Sequence, residues 1–492
     1  MAILISLRFG ISFAVNSITY NNDVIYYLIN YLRVIRILIS YIVYRLYMVI
    51  FKYSLFLIYI LMGGQEIQVP TGEMLRVAAA SSLGIAFEFY DFLIFGYAAP
   101  VIAKLFFPMM SGLLALIYAF ITFAVGFAGR PLGAIIFGHL GDKIGRKYTL
   151  IFTISLMGAA SLALALMPTY FQIGIWAPIL LAAFRFLQGL SLGGEFGGGI
   201  TLTGEFAPAQ RRAMWVGVAQ TAQGSGPLLA VGLLGLLTYL YGESWFVSIG
   251  WRIMFGLGVV IAIIGVYIRL RITESPVFAR AKSRGNVSKL PLIDAFRAGY
   301  WKRILLGLGF IIGGTAMTYA SGVFAIAYLE SVIHVPAVEA SLALVIGYTV
   351  LIIFSPIFGL LADKYGRKPF MIAYAVGTIV FIYPYFLLLS TGQLPLIILA
   401  QAIYNFMASW FNGAYATMLL EMFPTKVRYT ALSFIYHVGV AAFGGTTPFI
   451  ATYLIYATRY ELAPIYWGWF GMIITLIAFI LARETKDIDI NY

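Results

Sequence analysis

Two similar loops decide the fold of this 492-residue chain: GHLGDKIGRK at residues 138–147 and GLLADKYGRK at residues 359–368. Each loop lies between two long apolar stretches and joins them through acidic and basic residues. This setting predicts a tight, charged turn between two membrane-spanning helices, where glycine permits close helix approach and unusual backbone angles. The repetition predicts two halves of similar structure.

A second signal repeats in the same order as the loops. The pattern E-x-x-P-x-x-x-R occurs at residues 205–212 and again at residues 421–428. Two signals in one order in both halves indicate internal duplication, which in a membrane protein is typical of transporters.

The composition indicates that this protein lies in a membrane. Hydrophobic residues make up 62% of the chain and charged residues 10%, with a mean hydropathy of +0.94. A soluble protein of this length cannot hide so much apolar surface, so the chain is expected to lie in the lipid bilayer. The net charge of +13 does not indicate nucleic-acid binding, because the basic residues fall in the connections after every second apolar segment. The absence of cysteine excludes disulfides and thiol chemistry.

With about 20 apolar residues for each crossing, the chain is predicted to be an all-α membrane protein. Twelve transmembrane helices are expected, in two pseudo-symmetric six-helix bundles. The predicted spans lie near residues 75–101, 110–137, 148–168, 174–203, 213–240, 250–270, 303–329, 341–361, 370–390, 395–420, 428–456 and 463–482. Lysine and arginine concentrate in the connections on one side, so both termini are predicted to be cytoplasmic.

Five parts make up the expected domain organisation. They are an N-terminal extension at 1–70, an N-terminal six-helix bundle at 71–270, a cytoplasmic linker at 271–302, a C-terminal six-helix bundle at 303–484 and a cytoplasmic tail at 485–492. Residues 1–61 carry neither the apolar core nor the cleavage site of a signal peptide. They are interpreted as an upstream stretch read from a misplaced start, with Met62 or Met74 as the true start. An extra interfacial or spanning helix is the alternative.

Ionisable residues inside the predicted spans are the candidates for chemistry. A charge at bilayer depth costs roughly 2.5–3.5 kcal/mol on insertion scales and is tolerated mainly beside a cavity or a partner. Glu88 and Asp91 lie on neighbouring parts of one face of the first span, and Arg185 of the fourth span falls at a similar depth. A carboxylate released from this arginine by an arriving substrate takes up a proton, which is a workable coupling device. A static salt bridge between the two spans is the alternative.

The same residues resemble a known family. The two loops are similar to the signature loop of the major facilitator superfamily, and Arg185, Gln188 and Gly189 are similar to a motif of its proton-linked members. EFYDF at 88–92 and GGEFGG at 193–198 resemble motifs of the metabolite:proton symporter family.

The likeness to that symporter family extends to ESPVF at 274–278 and covers about residues 72–484. Two phenylalanines, Phe89 and Phe196, replace tryptophans of the family pattern. His437 stands where the family usually has asparagine, as a hydrogen-bonded core residue or a titrating group.

The resemblance implies two bundles around a central cavity lined by spans 1, 4, 7 and 10, with one bundle rocking against the other. Arg146 is expected to pair with Glu205 and Arg367 with Glu421, as a latch on the cytoplasmic side. Two acids are expected near helix N-termini, where the dipole favours anions. The complete predicted gate is Asp142, Arg146, Glu205, Asp363, Arg367 and Glu421. These pairs are expected to be exposed and individually weak, at ~0–1 kcal/mol each.

The predicted function is secondary active transport: proton-coupled symport of a small organic carboxylate or zwitterion across the plasma membrane, by a monomer. The resemblance implies substrates such as 2-oxoglutarate, citrate, shikimate, proline or betaine, and the planar guanidinium of Arg185 suits a carboxylate. The predicted proton-coupling residues are Glu88, Asp91, Arg185 and Glu195. The predicted substrate-binding residues are Tyr90, Arg185, Gln188, Tyr319, Asn405 and Asn412. No cofactor and no metal is expected.

Four other functions compete with this prediction. An uncoupled sugar facilitator would not need Glu88, Asp91 and Arg185 in the membrane, and a drug/proton antiporter would not be expected to carry the motifs at 193–198 and 274–278. A membrane receptor would bind its ligand without flux. A membrane enzyme is disfavoured, because the sequence offers no nucleophile–base pair and no metal-ligand spacing.

Overall fold

A computed structural model describes residues 71–144, 146–193, 196–271, 299–486, 488 and 490. Every regular element in these ranges is helical, and all of them belong to the compact unit Gln65–Tyr492. The predicted extension at 1–70 and most of the predicted linker at 271–302 lie outside the described residues.

The first half contains six spans, several of them built from consecutive helices. Span 1 is Thr71–Tyr97 and Ala99–Phe106, span 2 is Gly112–Ile144, span 3 is Arg146–Leu166, span 4 is Trp176–Leu192 and Phe196–Phe206, span 5 is Arg212–Gln220 and Ala222–Tyr241, and span 6 ends in Trp251–Arg271.

The second half repeats this order. Span 7 is Trp301–Tyr319 and Ala325–Ser331, span 8 is Ala337–Tyr365, span 9 is Arg367–Ser390, span 10 is Leu394–Glu421, span 11 is Thr425–Gly439 and Thr447–Thr458, and span 12 is Pro464–Leu481.

Twelve spans were expected and the structure confirms them. Within the described residues, 10 helices are long and apolar enough to cross a membrane, and the bent pair Gly84–Tyr97 and Ala99–Phe106 is an eleventh crossing. Span 3 is the twelfth, with the shorter apolar helix Ile151–Leu166. The bend of 54° in span 1 follows from Pro100 in the first turn of its second helix, because proline cannot donate the backbone hydrogen bond of a continuous helix.

Glycines bring spans into backbone contact at equivalent places in the two halves. A Cβ atom at Gly189 of span 4 would overlap the carbonyl oxygen of Gly126 in span 2. In the second half, a Cβ atom at Gly413 of span 10 would lie 2.5 Å from the backbone nitrogen of Gly359 in span 8. Small residues of this kind let membrane helices approach closely, so the duplicated sequence folds into duplicated packing.

The two halves meet at the end of the molecule that carries the connections 205–212 and 421–428, which we term the basic end. There Gly359 of span 8 lies so close to the backbone of Ala213 in span 5 that a Cβ atom would overlap it. The halves are therefore closed against each other at this end.

The halves also meet toward the opposite end. The hydroxyl groups of Tyr97 in span 1 and Tyr348 in span 8 are hydrogen-bonded at 2.7 Å. A Cβ atom at Gly96 would lie 2.7 Å from Cγ1 of Val323 in the segment that continues span 7. Contacts between the halves therefore occur on both sides of the membrane interior.

Candidate functional site

Asp91 of span 1 is held by side chains from two other spans. Its Oδ2 accepts a hydrogen bond from the Ser161 hydroxyl of span 3 at 2.5 Å and one from Nε2 of Gln188 in span 4 at 3.1 Å. Span 6 approaches from another side, where only a glycine fits, because a Cβ atom at Gly258 would overlap the Asp91 carboxylate. Asp91 is 3% exposed, so its charge depends on these neighbours.

Gln188 connects Asp91 to Arg185. Nη1 of Arg185 donates to Oε1 of Gln188 at 2.7 Å, and Nε2 of Gln188 donates both to Asp91 and to the Ser161 hydroxyl at 2.8 Å. The two charged groups were expected to pair, and the structure links them through the amide of Gln188. A change at one group can therefore reach the other through a single side chain.

Aromatic rings surround the Arg185 guanidinium. Its Cζ lies 4.1 Å from the ring centroid of Phe92, 4.6 Å from Phe95 and 5.4 Å from Phe123. Such contacts stabilise a buried cation electrostatically. The Nε and Nη2 atoms of Arg185 are buried and have no hydrogen-bond acceptor in the described part of the chain, although an unmatched buried donor costs about 1–3 kcal/mol or more. An anion placed here would satisfy them.

A second buried arginine, Arg130 of span 2, lies beside the same ring. Its Cζ is 4.3 Å from the Phe92 centroid and 4.7 Å from that of Phe127, and the residue is 2% exposed. The sequence predictions did not include it. The rule that selected Arg185, an arginine within an apolar span, would have selected Arg130 as well.

A ring of the second half packs against Phe127, which Arg130 also contacts. The ring of Tyr319 in span 7 lies edge-on to Phe127 with centroids 5.3 Å apart. His437 of span 11 is fully buried. Neither the Tyr319 hydroxyl nor the two ring nitrogens of His437 have a hydrogen-bond partner among the described residues.

Both groups also lie beside irregular backbone. π-helical turns follow them at Ala320–Phe324 and Val440–Gly444, and the end of the second turn lies against the Tyr319 ring. Single π-helical turns occur often at functional sites.

Of the remaining predicted substrate-binding residues, two form hydrogen bonds with other partners. The Tyr90 hydroxyl donates to the Met254 carbonyl of span 6 at 3.2 Å. Nδ2 of Asn405 donates to the Gln401 carbonyl of its own span at 2.8 Å. Asn412 is buried two turns further along the same span.

The other two predicted proton-coupling residues differ in how far the structure describes them. Glu88 is 7% exposed and lies about one helical turn before Asp91 on span 1. Glu195 lies outside the described residues.

At the basic end, ion pairs connect the two halves reciprocally. Glu205 of the first half pairs with Arg428 of the second half at 2.8 Å. Arg212 of the first half pairs with Glu421 of the second half at 3.0 Å. In each copy of the duplicated motif, the glutamate thus pairs with the arginine of the other copy.

Further contacts extend this network within the second half and across to span 5. Arg367 contacts Glu421 at 3.0 Å and Asp363 at 3.1 Å. Asp363 also accepts hydrogen bonds from the backbone N–H groups of Ala213 and Met214, at 3.0 and 2.9 Å. These are orphan donors of a helix N-terminus, where a carboxylate is favoured.

One expectation about this network needs correction and another stays untested. The pairs were expected to be exposed and weak, but the side chains of Glu421 and Arg212 are 0% and 5% exposed and that of Glu205 is 18% exposed, because the halves pack over them. The expected pair of Glu205 with Arg146 stays a prediction; the described partner of Glu205 is Arg428 of the other half. The side chains of Arg146 and Asp142 lie outside the described ones.

The C-terminal tail adds to the basic end, which the sequence predictions missed. Glu484 accepts hydrogen bonds from the backbone N–H groups of Arg367 and Lys368, at 3.0 and 2.9 Å. Partial burial acts to raise the pKa of the Glu484 carboxyl, but these and other backbone N–H groups lower it below its usual range. The Thr485 hydroxyl donates to Glu421 at 2.6 Å, so the tail contacts a residue of the predicted gate.

Known proteins resemble the whole of this architecture. A family model for the sugar (and other) transporters matches residues 77–290, and the model of the Major Facilitator Superfamily matches residues 306–488. The proline/betaine transporter of Escherichia coli K12 is 31% identical over 427 residues, which are 85% of each chain. The chain belongs to the major facilitator superfamily.

Further relatives of this major facilitator superfamily member agree. The inner membrane metabolite transport protein YhjE of E. coli K12 is 35% identical over 428 residues, covering 85% of this chain and 96% of that protein. The solved structure of a D-xylose-proton symporter superposes with a TM-score of 0.65 at 19% identity, over 83% of this chain and 98% of that chain. The second likeness concerns the fold alone.

Membership of the superfamily establishes the general class. This protein is a multi-pass membrane protein and a secondary transporter of small solutes, and it is not an enzyme. These parts of the sequence prediction are confirmed.

Proposed function

We propose that this transporter carries a small organic carboxylate or zwitterion together with protons across the plasma membrane. The observation that carries the proposal is the buried chain from Arg185 through Gln188 to Asp91. It joins a cation with unsatisfied donors to a carboxylate that can accept a proton.

The coupling depends on whether Arg185 interacts with Asp91 or with the substrate carboxylate. Without substrate, the positive charge of Arg185 and the hydrogen bonds from Gln188 and Ser161 favour an ionised Asp91. A substrate carboxylate that takes the free Nε and Nη2 donors of Arg185 forms charge-assisted, paired hydrogen bonds. The cation is then shared with the substrate, and Asp91 takes up a proton. Substrate and proton thus occupy the transporter together.

Release to the other side requires the basic end to open. We assign this end to the cytoplasm, with both termini, on the distribution of lysine and arginine. Opening breaks the cross-half pairs Glu205–Arg428 and Arg212–Glu421 as one bundle rocks against the other. Because each pair has one member in each half, the pairs act on this motion directly, and a single chain is sufficient for it.

The relatives support the choice of substrate class. Proteins at 31% and 35% identity are named for proline and betaine or for metabolites. Proline and betaine each carry one carboxylate, which is the group that the free donors of Arg185 fit.

The test is uptake by purified protein in liposomes. A panel of labelled carboxylates, proline and betaine is offered with and without an inward proton gradient. We expect the gradient to accelerate uptake of at least one compound, Asp91→Asn to abolish the acceleration, and Glu243→Gln to leave it intact, since Glu243 is exposed at the opposite end. If the proton gradient does not change the uptake rate of any transported compound, the protein is an uncoupled facilitator. If a compound binds without flux, the protein is a receptor.

A further inference from the structure

The Arg185 guanidinium is enclosed by groups of its own half. The rings of Phe92, Phe95 and Phe123 lie 4.1, 4.6 and 5.4 Å from its Cζ. A Cβ atom at Gly126 of span 2 would lie 3.3 Å from its Nη2, so the backbone of that span also lies against the guanidinium. Arg185 is 0% exposed. A solute between the halves therefore reaches the guanidinium only if one of the three rings moves.

Phe92 is fixed by further contacts within the first half. Its centroid also lies 4.3 Å from Cζ of Arg130, and its ring packs edge-on against Phe127 with centroids 4.6 Å apart. Two cations thus hold this ring, because each is attracted to its π electrons. Phe92 is therefore not the ring that we expect to move.

Among the three rings, Phe123 carries the described contacts with the second half. Its ring is tilted against that of Tyr319 in span 7, with centroids 6.3 Å apart. Its Cε2 and both γ carbons of Val323 lie within 3.1 Å of the point that a Cβ atom at Gly96 would take, so Phe123 and Val323 meet over this glycine. Phe123 thus contacts both the cation of the coupling group and the helix of the second half that faces it.

Tyr319 is held in turn by both halves. Its ring lies edge-on to Phe127 of span 2 with centroids 5.3 Å apart, and a Cβ atom at Gly444 of span 11 would lie 2.8 Å from its Cε2. Rocking of the bundles separates the halves at one end at a time. Separation at the end opposite to the basic end withdraws span 7 from span 2, and Phe123 then has space to rotate away from Arg185.

We propose that Phe123 is an aromatic lid, which covers Arg185 in the empty, closed transporter and turns aside when the halves separate. This proposal rests on the proposed symport function, in which a substrate carboxylate contacts Arg185. The closed lid keeps water, and with it protons, from Asp91 while no substrate is bound. Phe123 is therefore a positioning residue, and its role is to prevent a proton leak through the empty transporter.

Chemical modification of arginine measures the lid directly. Phenylglyoxal reacts with accessible guanidinium groups, and mass spectrometry of the digested protein gives the reaction rate at each arginine. In the full-length protein in liposomes without substrate, Arg185 should react slowly and Arg459, which is exposed, rapidly. Phe123→Leu removes the contact between ring and cation, which predicts a roughly tenfold faster reaction at Arg185. Tyr319→Ala should act in the same direction, because the lid loses its contact with span 7.

Phe120→Leu is the matched control for both measurements. Phe120 lies about one turn from Phe123 on the same span, and both residues are 0% exposed. The same loss of a buried ring there should leave the reaction rate of Arg185 unchanged. Equal melting temperatures of the two leucine variants exclude general loosening of the fold as the cause of a difference.

Proton entry without substrate tests the consequence of the lid. Liposomes that contain the pH-sensitive dye pyranine are given an inward proton gradient and no substrate. They should acidify slowly with the wild type and with Phe120→Leu, and faster with Phe123→Leu by a factor similar to that for the arginine reaction. Adding Asp91→Asn to Phe123→Leu should abolish the acceleration, because the leak passes through this carboxylate.

The outcomes separate this inference from the proposed function. If Phe123→Leu and Phe120→Leu give the same arginine reaction and the same proton entry, while a proton gradient accelerates uptake by the wild type, the lid is wrong and symport stands. If the gradient accelerates no uptake by the wild type, the proposed symport function fails. A faster reaction of Arg185 in Phe123→Leu alone would still establish that this ring covers the arginine.

Discussion

The substitution Glu421→Gln should open the basic end. Glu421 is fully buried and accepts hydrogen bonds from Arg212 of the other half, from Arg367 and from Thr485. Glutamine keeps the shape of the side chain and one acceptor oxygen, but it removes the charge. The contact between Glu421 and Arg212 exists only while this end is closed. Loss of this contact therefore raises the free energy of the closed state and leaves that of the open state unchanged.

The size of the effect follows from the contact that is lost. A hydrogen bond to a charged group contributes roughly 1.5–3 kcal/mol. Taking about 2 kcal/mol, the ratio of closed to open transporter should fall by roughly 30-fold, since 1.4 kcal/mol corresponds to tenfold. Arg212→Gln removes the other member of the same pair and should shift the ratio in the same direction.

Distances between spin labels measure this ratio. The chain has no cysteine, so labels attach only at cysteines introduced in place of Gln210 and Tyr365, which are exposed on different halves at the basic end. Electron–electron double resonance should show a longer distance gaining population in Glu421→Gln. Lys104→Gln is the control, because its partner lies in the same half and their side chains are 61% and 68% exposed, a setting worth about 0–1 kcal/mol. Unchanged distance distributions in Glu421→Gln would refute the assignment of a latch.

Three further predictions concern other parts of the fold. Gln188→Leu should remove the acceleration of uptake by a proton gradient while the protein remains folded, because it breaks the link between cation and carboxylate; retained acceleration in liposomes would contradict this. Gly189→Ala should lower the melting temperature markedly, since its Cβ would overlap the Gly126 carbonyl, whereas Gly256→Ala, with open space around it, should be neutral or slightly stabilising. Glu484→Gln should destabilise by about 0.5 kcal/mol at pH 7, a low figure because the group is half exposed. Since the folded-state pKa of Glu484 is lowered, its contribution is present above the usual pKa of a glutamate and is lost as the pH falls through the lower value, so melting curves of wild type and variant should converge in acid.

The fold was readable from the sequence because hydrophobic length and charge placement are nearly sufficient in a membrane. An apolar stretch of about 20 residues has few alternatives to a helix in lipid, and the repeated loops indicate which stretches pack as equivalents. The bend in span 1 could also have been predicted from the sequence, because of Pro100. It was missed because an apolar segment was counted without regard to its breakpoints.

The site was predictable in its residue types and less so in its contacts. Asp91 and Arg185 were expected to interact and Gln188 was expected in the substrate site, but the contacts among the three depend on Ser161 and on the absence of a side chain at Gly258. Those two residues come from spans whose sequences show no unusual charge. Rotation of a helix decides such contacts, and it is set by packing against neighbours that a single sequence does not reveal.

The partners at the basic end were harder to predict for a related reason. The sequence prediction paired Arg146 with Glu205 and Arg367 with Glu421, each within one half. The structure contains the Arg367–Glu421 pair. It also joins Glu205 to Arg428 and Glu421 to Arg212 of the other half, because the connection at 205–212 faces the connection at 421–428. Ion pairs between equivalent positions of the two halves cannot be predicted from the spacing of residues within one half.

This reciprocal exchange of arginines has a consequence for ancestry. A contact in which Glu205 meets Arg428 and Arg212 meets Glu421 has the form of an isologous interface, in which one surface binds a second copy of itself. Two identical six-helix chains, each bearing only one copy of the motif, would satisfy all four charges as a homodimer. The closing contact therefore does not require two different halves, and a symmetric dimer could have possessed it before its gene was doubled into a single chain.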